Sequence, residues 1–175
     1  MKKYFVSVTT ALVAAIMFSA CGFQLRGKIE LPPEMSSVYI QSTNLRLAGR
    51  LGRALTTSGA TIVSDRKKAT AVLTIYGLKN TRGVRSVGGT GRVREFSLTY
   101  QIDFGIKDAS GKVLMKRQSA SLVREFSFNE AQVVGKSVEE AIIKDEMSRQ
   151  MISELLRRVQ RNFRFRQRQQ NVNIK

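Results

Sequence analysis

Few side chains in this sequence could do chemistry, and their spacing says more than their number. Glu95 and Glu125 sit in a repeated pentapeptide, Val93-Arg94-Glu95-Phe96-Ser97 and Val123-Arg124-Glu125-Phe126-Ser127. Two carboxylates on adjacent strands are the arrangement used in acid/base catalysis. A second cluster is cationic: Arg82, Arg85 and Arg92 are interleaved with Gly83, Gly88, Gly89 and Gly91, and Arg94 follows. This segment lacks the GxxxxGK[ST] spacing that cradles a nucleotide phosphate, so its glycines do not identify a nucleotide site. The third chemical feature is Cys21, the single cysteine. With no His and no Trp, Ser-His-Asp and Cys-His catalysis, His-ligated metals and an intramolecular disulfide are excluded by inventory. No catalytic, metal-ligating or cofactor-binding residue is assigned.

Cys21 gains its meaning from what precedes it. Lys2 and Lys3 are followed by an apolar run from Tyr4 to Phe18 and then by Ser19-Ala20-Cys21. The run is roughly 14 residues, short of the ~20 that a membrane-spanning helix needs, and it has the layout of a secretion signal. Phe18-Ser19-Ala20-Cys21 resembles a bacterial lipobox, in which the Cys thiol is joined to diacylglycerol, the chain is cut before it and the new amino group is acylated. Residues 1–20 are therefore expected to be a signal peptide, and 155 residues remain after its removal. Gly22 stands where an Asp would favour inner-membrane retention, so the expected location is the outer membrane, lipid-anchored and facing the periplasm. That compartment holds no chromosome. Nucleic-acid binding, the ordinary reading of 30 Lys+Arg against 13 Asp+Glu and a net charge of +17, is accordingly set aside. The anions within reach are lipid headgroups and lipopolysaccharide.

The elements that must position these residues follow from periodicity. At 42% hydrophobic and 25% charged residues, the chain has enough apolar content for a core of one domain. Residues 21–36, with Pro32-Pro33, are expected to form an extended lipidated tether. Val38-Tyr39-Ile40 reads as a buried strand. Asn44 is placed to cap a helix with Leu47, Ala48, Leu51 and Leu55 on one face, ended by Gly59. Ala71 to Leu78 reads as a second strand and 79–92 as a basic loop. Phe96, Leu98, Tyr100, Ile102, Phe104 and Ile106 alternate with polar or small residues, the clearest strand signal in the chain. Asp108 to Gly111 reads as a turn and Val113 to Phe126 as the returning strand. Ser137-x-x-Glu140 matches a capping box at the start of a helix carrying Ile143, Met147, Met151 and Leu155. Residues 161–175, with Arg161, Arg164, Arg166, Arg168 and Lys175 and no acid, are expected to be a disordered basic tail. The order β-α-β-β-β-α predicts an α+β two-layer sandwich, with two helices on one face of a four-stranded sheet over residues 37–160.

This architecture bears on the two glutamates. If Asp108 pairs with Gly111 across a two-residue turn, Arg94 lies opposite Glu125 and Glu95 opposite Arg124. Such cross-strand pairs contribute about 0.2–1 kcal/mol each and select register, the preferred reading over catalysis. A bulge at Gly111 would slip that register by one residue and oppose the glutamates to each other, an alternative left open at this level.

Cys21-Gly22-Phe23-Gln24-Leu25-Arg26-Gly27 resembles the opening of mature chains of the LPS-assembly lipoprotein family, LptE. Ile142-Ile143-Lys144-Asp145-Glu146-Met147 is similar to that family's last helix, and the element order agrees with it from Cys21 to Val159. The resemblance implies a non-enzymatic outer-membrane lipoprotein that plugs the LptD β-barrel in a one-to-one complex and contacts lipopolysaccharide during its delivery to the outer leaflet. The basic residues nearest that family's lipopolysaccharide-contacting surface are Arg92, Arg94 and Lys136, with Arg85 beside them, and Cys21 is the implied lipid attachment point. A different class of function is a structural outer-membrane lipoprotein of another envelope assembly complex, without lipopolysaccharide binding. Recovery of a large β-barrel with the tagged protein separates the two.

Overall fold

The computed structural model describes residues 29, 31–89, 91–127 and 133–172. The signal segment, Cys21 and the Cys21–Gly27 motif lie outside the described residues. Five strands and two helices follow in the order β1 (Ser37–Gln41), α1 (Leu45–Thr57), β2 (Thr61–Ile62), β3 (Ala71–Val87), β4 (Val93–Asp108), β5 (Val113–Ser127) and α2 (Val133–Val172). The sheet order is β2-β1-β3-β4-β5. β1 runs parallel to β2 and β3, and the remaining pairs are antiparallel. The expected α+β sandwich is therefore present with one strand more than expected. Thr61-Ile62 is too short to show periodicity in sequence, and it exists as a strand because the end of α1 delivers it to the free edge of β1.

α1 forms as its sequence dictates. Asn44 Oδ1 accepts from the Leu47 amide at 2.9 Å, satisfying one of the helix's orphan donors. At the other end Ala60 N donates to Leu55 O and Gly59 N to Thr56 O, both at 3.0 Å. Gly59 has φ +97°, the left-handed turn that ends helices at glycine. Leu47, Leu51 and Leu55 are buried against the sheet. They meet Leu73, Leu98, Ile102, Phe104 and Ile106 from the strands and Met147, Met151, Leu155 and Val159 from α2 in one core. The opposite face of the sheet is largely polar, with Thr99, Gln101, Asp103, Arg117, Ser119 and Ser121 at its centre.

Several expectations change. The segment 79–92 is mostly strand: β3 continues to Val87, leaving only a tight turn in which Gly88 N donates to Arg92 O at 2.7 Å and Gly91 N to Gly88 O at 2.9 Å. The β3–β4 ladder supplies the hydrogen bonds that glycine-rich sequence alone does not promise. The tether expected over 21–36 is already packed at its end. Pro33–Met35 forms a single 3-10 turn, Met35 is fully buried, and Ile29 and Leu31 pack against the core. α2 begins at Val133, so Ser137 lies inside the helix instead of capping it. Glu140 pairs with Arg82 at 3.0 Å and Lys144 at 2.6 Å. The tail expected to be disordered from Arg161 is helical through Val172, because Phe163 is 2% exposed in the core and Arg166 donates to the Leu114 carbonyl.

The proposed strand register is also overturned. Gly111 takes φ +94°, giving a three-residue turn, and Lys107 pairs with Val113. Two further shifts follow, at Ile106/Lys107 and Phe104/Ile106, so that Phe104 faces Gln118 and Phe96 faces Phe126. Each shift inserts one extra β5 residue, the signature of a bulge. Gly105 accommodates the second, since a Cβ there would lie 3.3 Å from both Met115 O and the Tyr76 ring. Glu95 consequently faces Ser127 and Glu125 faces Ser97, while Arg124 faces Leu98. Arg94 does not face Glu125.

Candidate functional site

The far end of the β3–β4 hairpin collects the cationic residues. Between 82 and 95 it carries Arg82, Arg85, Arg92 and Arg94 against one acid, Glu95. Val84 pairs with Phe96, Ser86 with Glu95 and Val87 with Val93, which fixes where each side chain emerges. The Arg82 guanidinium lies 3.5 Å from the Phe96 ring centroid, and Phe96 stacks on Phe126 at 5.8 Å. The same arginine donates to Glu140 Oε2 at 3.0 Å, which ties the hairpin to the first turns of α2. The hairpin is thus braced at Arg82 and Phe96, below its turn, by an aromatic pair and a cation–π contact.

The sequence-predicted contact residues distribute as follows. Arg85 is exposed, with Nε 3.0 Å from Glu125 Oε1. Arg92 is exposed at the turn, its carbonyl accepting from Gly88. Arg94 is exposed and folds across that turn, close enough that a Cβ on Gly88 would lie 2.7 Å from its Nε. Lys136 is in the first turn of α2, one turn before the glutamate that reaches Arg82, so its backbone lies at the same end of the molecule; its side chain lies outside the described residues. Fold topology brings these four positions to one end, although Arg92 and Lys136 are 44 positions apart in sequence. Cys21 lies outside the described residues.

The two glutamates of the repeat emerge on the same face of adjacent strands but engage different groups: Glu95 accepts from Ser86 Oγ at 2.9 Å and Glu125 pairs with Arg85. Among the described residues no group of three potential metal ligands is found, and no helix is long and apolar enough to cross a membrane.

Apolar side chains are exposed at this end too. Val84 and Val87 on the hairpin and Val138 and Ile142 on α2 are each more than half exposed. The end therefore offers cations and aliphatic surface together, which suits an amphiphile with anionic groups better than a free phosphate.

A second feature was not legible in the sequence. A cleft of about 420 Å³ opens between α1 and α2, lined by Asn44, Arg46, Arg50, Lys144 and Asp145 and floored by Tyr100 and Ser148. Arg50 and Arg149 both donate to Asp145, and the Arg50 hydrogen bond in particular holds its carboxyl below the usual carboxylate range. The only sequence signal was Arg46 and Arg50 four apart beside the apolar stripe, a spacing common on any solvated helix face.

With this geometry in view, relatives can be compared. The LPS-assembly lipoprotein LptE of Photorhabdus laumondii is 27% identical over 149 residues, covering 84% of this chain and 81% of the relative. That of Yersinia enterocolitica is 25% identical over 150 residues, covering 84% and 72%. Among solved structures, an uncharacterized lipoprotein B from Nitrosomonas europaea is 32% identical, covers 79% of this chain and 90% of its own, and superposes with a TM-score of 0.69. The rare lipoprotein B from Shewanella oneidensis, 20% identical over 79% of this chain and 98% of its own, shares the fold with a TM-score of 0.61. The family model for LptE, described as lipopolysaccharide-assembly, matches residues 35–159, which run from the buried Met35 through the core stretch of α2, and the chain therefore belongs to the LptE family.

Proposed function

We propose that this protein is the lipoprotein subunit of the lipopolysaccharide translocon: anchored to the outer membrane through Cys21, plugging the LptD β-barrel, and contacting lipopolysaccharide with the hairpin end of the domain. The observation that carries the assembly role is the family match over residues 35–159, which hold most of the folded core. The contact surface rests on the joint placement of Arg85, Arg92, Arg94 and the first turn of α2 with exposed aliphatic residues at one end. Guanidinium and ammonium groups pair with phosphates through charge-assisted hydrogen bonds, while Val84, Val87, Val138 and Ile142 meet the apolar part of the lipid. No catalytic step is assigned, because the domain acts by presenting a surface.

The test is the pair Arg92→Asp with Lys136→Asp in the tagged protein. Lipopolysaccharide binding is expected to fall by more than for neutralisation at one site and to weaken with added salt, since exposed charges are screened over ~8 Å at physiological ionic strength. Circular dichroism and copurification of the barrel should be unchanged, because exposed charges add little to folding. Wild-type lipopolysaccharide binding by the double variant in low salt sinks the contact surface. Recovery of other lipoproteins or cell wall without a large barrel supports the structural-scaffold reading instead.

A further inference from the structure

The last turns of α2 lie outside the family match, which ends at Val159, yet the helix continues to Val172, a further length of about 20 Å at 1.5 Å per residue. One side of this extension is held by the fold: Phe163 is in the core and Arg166 donates to the Leu114 carbonyl on β5. The other side is a stripe of Arg161, Arg164, Phe165 and Arg168, spaced three or four residues apart and so on one face. All four are exposed, Phe165 by 62%. Arg161 is tied to Glu154 at 3.2 Å, and no Asp or Glu follows Glu154 in the sequence. The stripe's cations are thus fixed in place by a rigid helix with no acid within reach along the chain beyond that one.

Its position in the molecule says what it faces. Arg164 and Phe163 line a small cavity of about 150 Å³ together with Leu31, Pro32 and Pro33, where the chain enters the domain from its N-terminal side. Cys21 precedes Leu31 by ten residues, and that length of chain spans at most about 35 Å when fully extended. A bilayer holding acyl groups on Cys21 therefore lies within reach of this helix face. An exposed Phe between two arginines is the composition of a helix that lies on a charged membrane surface, with the cations on headgroup phosphates and the ring at the interface.

We propose that the extension of α2 is a second anchoring surface, which lays Arg164, Phe165 and Arg168 on an anionic phospholipid bilayer beside the N-terminal attachment point. Lipid chains and a basic patch then act as two membrane signals, and the second orients the domain that the first only tethers. This extends the lipoprotein reading and uses none of the residues assigned to lipopolysaccharide contact.

The experiment uses the mature chain from residue 21 with Cys21→Ser, so that no acyl group contributes, and sedimentation with vesicles of phosphatidylcholine alone or mixed with phosphatidylglycerol. The protein is expected to bind the mixed vesicles and to be released by salt. Arg164→Gln with Arg168→Gln should weaken that binding roughly 30-fold, about fivefold per charge at an anionic surface. Arg164→Lys with Arg168→Lys should retain it, and Phe165→Ser should weaken it with circular dichroism unchanged. Equal binding to both vesicle types, or unchanged binding by the Gln pair, overturns the proposal. So does a Gln pair that loses binding only to vesicles containing lipopolysaccharide. Arg92→Gln with Lys136→Gln should weaken phosphatidylglycerol binding less than Arg164→Gln with Arg168→Gln does, while only the first pair should weaken lipopolysaccharide binding, so failure of this surface and failure of the lipopolysaccharide surface are read separately.

Discussion

Individual residues on the open face of the sheet show how a charge becomes structural. Asp103 accepts from Ser119 Oγ, from Arg117 Nη2 at 3.0 Å and from Gln101 Nε2 at 3.3 Å. These bonds, Ser119's foremost, hold its pKa down at about 2 from an ordinary 3.8. A carboxylate whose folded pKa is depressed stabilises the fold above its unfolded pKa, and that contribution is lost as pH falls through the folded value. Stability is therefore expected to decline between about pH 4 and pH 2, and Asp103→Asn should flatten that part of the profile, as followed by thermal melts across the window. A second residue-scale prediction concerns Gly105, packed against the bulged backbone of β5 and the Tyr76 ring. Gly105→Ala should destabilise by about 1–3 kcal/mol, the usual range for overpacking, in denaturant titration. At Cys21, Ser should abolish incorporation of a labelled fatty acid, and label retained by the variant would contradict the lipid attachment.

Among the elements, α2 carries the most consequence because one helix serves two ends. Its early turns reach the hairpin through Glu140 and Arg82, its middle fills the core, and its extension is fastened to β5. Arg158 shows how the fastening works: it donates to Glu154 Oε1 at 2.8 Å and to the Ser119 carbonyl at 2.8 Å, covering part of the sheet edge that β5 leaves open. Glu154, held below the usual carboxylate range chiefly by Arg158, is the hub on which Arg157 and Arg161 also converge. Phe163→Ala should cost about 3 kcal/mol, as expected for emptying a buried aromatic site. Phe165→Ala, two residues on but exposed, should change stability by less than ~0.5 kcal/mol. Equal effects in urea unfolding would mean that the extension does not pack as described.

At the scale of the whole molecule, a net charge of +17 and exposed aliphatic residues at the hairpin end pull in opposite directions. The charge keeps copies apart and the apolar surface favours association. In isolation the protein is expected to self-associate more as salt is raised, because screening removes the repulsion and leaves burial of Val84, Val87, Val138 and Ile142. The lipopolysaccharide binding proposed for the arginines should show the reverse salt dependence. Sedimentation velocity across a salt series checks this, and a strictly monomeric profile at every salt concentration would contradict an apolar interface at that end.

The sequence by itself determined what depends on neighbours along the chain. The alternation from Phe96 to Ile106 fixed β4, and Asn44 and Gly59 fixed both ends of α1, because a pleat repeats every two residues and a cap is satisfied within one turn. The α+β class followed from that order, and the family resemblance from the Cys21–Gly27 motif with which that order agrees. Tertiary structure decided what depends on partners far away. The β4–β5 register moved because Gly111 and two bulges each displaced the ladder, and a displacement hidden in turn geometry leaves no mark on strand periodicity. The basic loop became strand because a long antiparallel partner satisfied its backbone. The arginine-rich tail became helix because Phe163 found the core and Arg166 found a carbonyl on β5, contacts that a charged, glutamine-rich segment cannot supply to itself. The cationic end of the hairpin was legible as composition; that α2 begins beside it required the chain to fold.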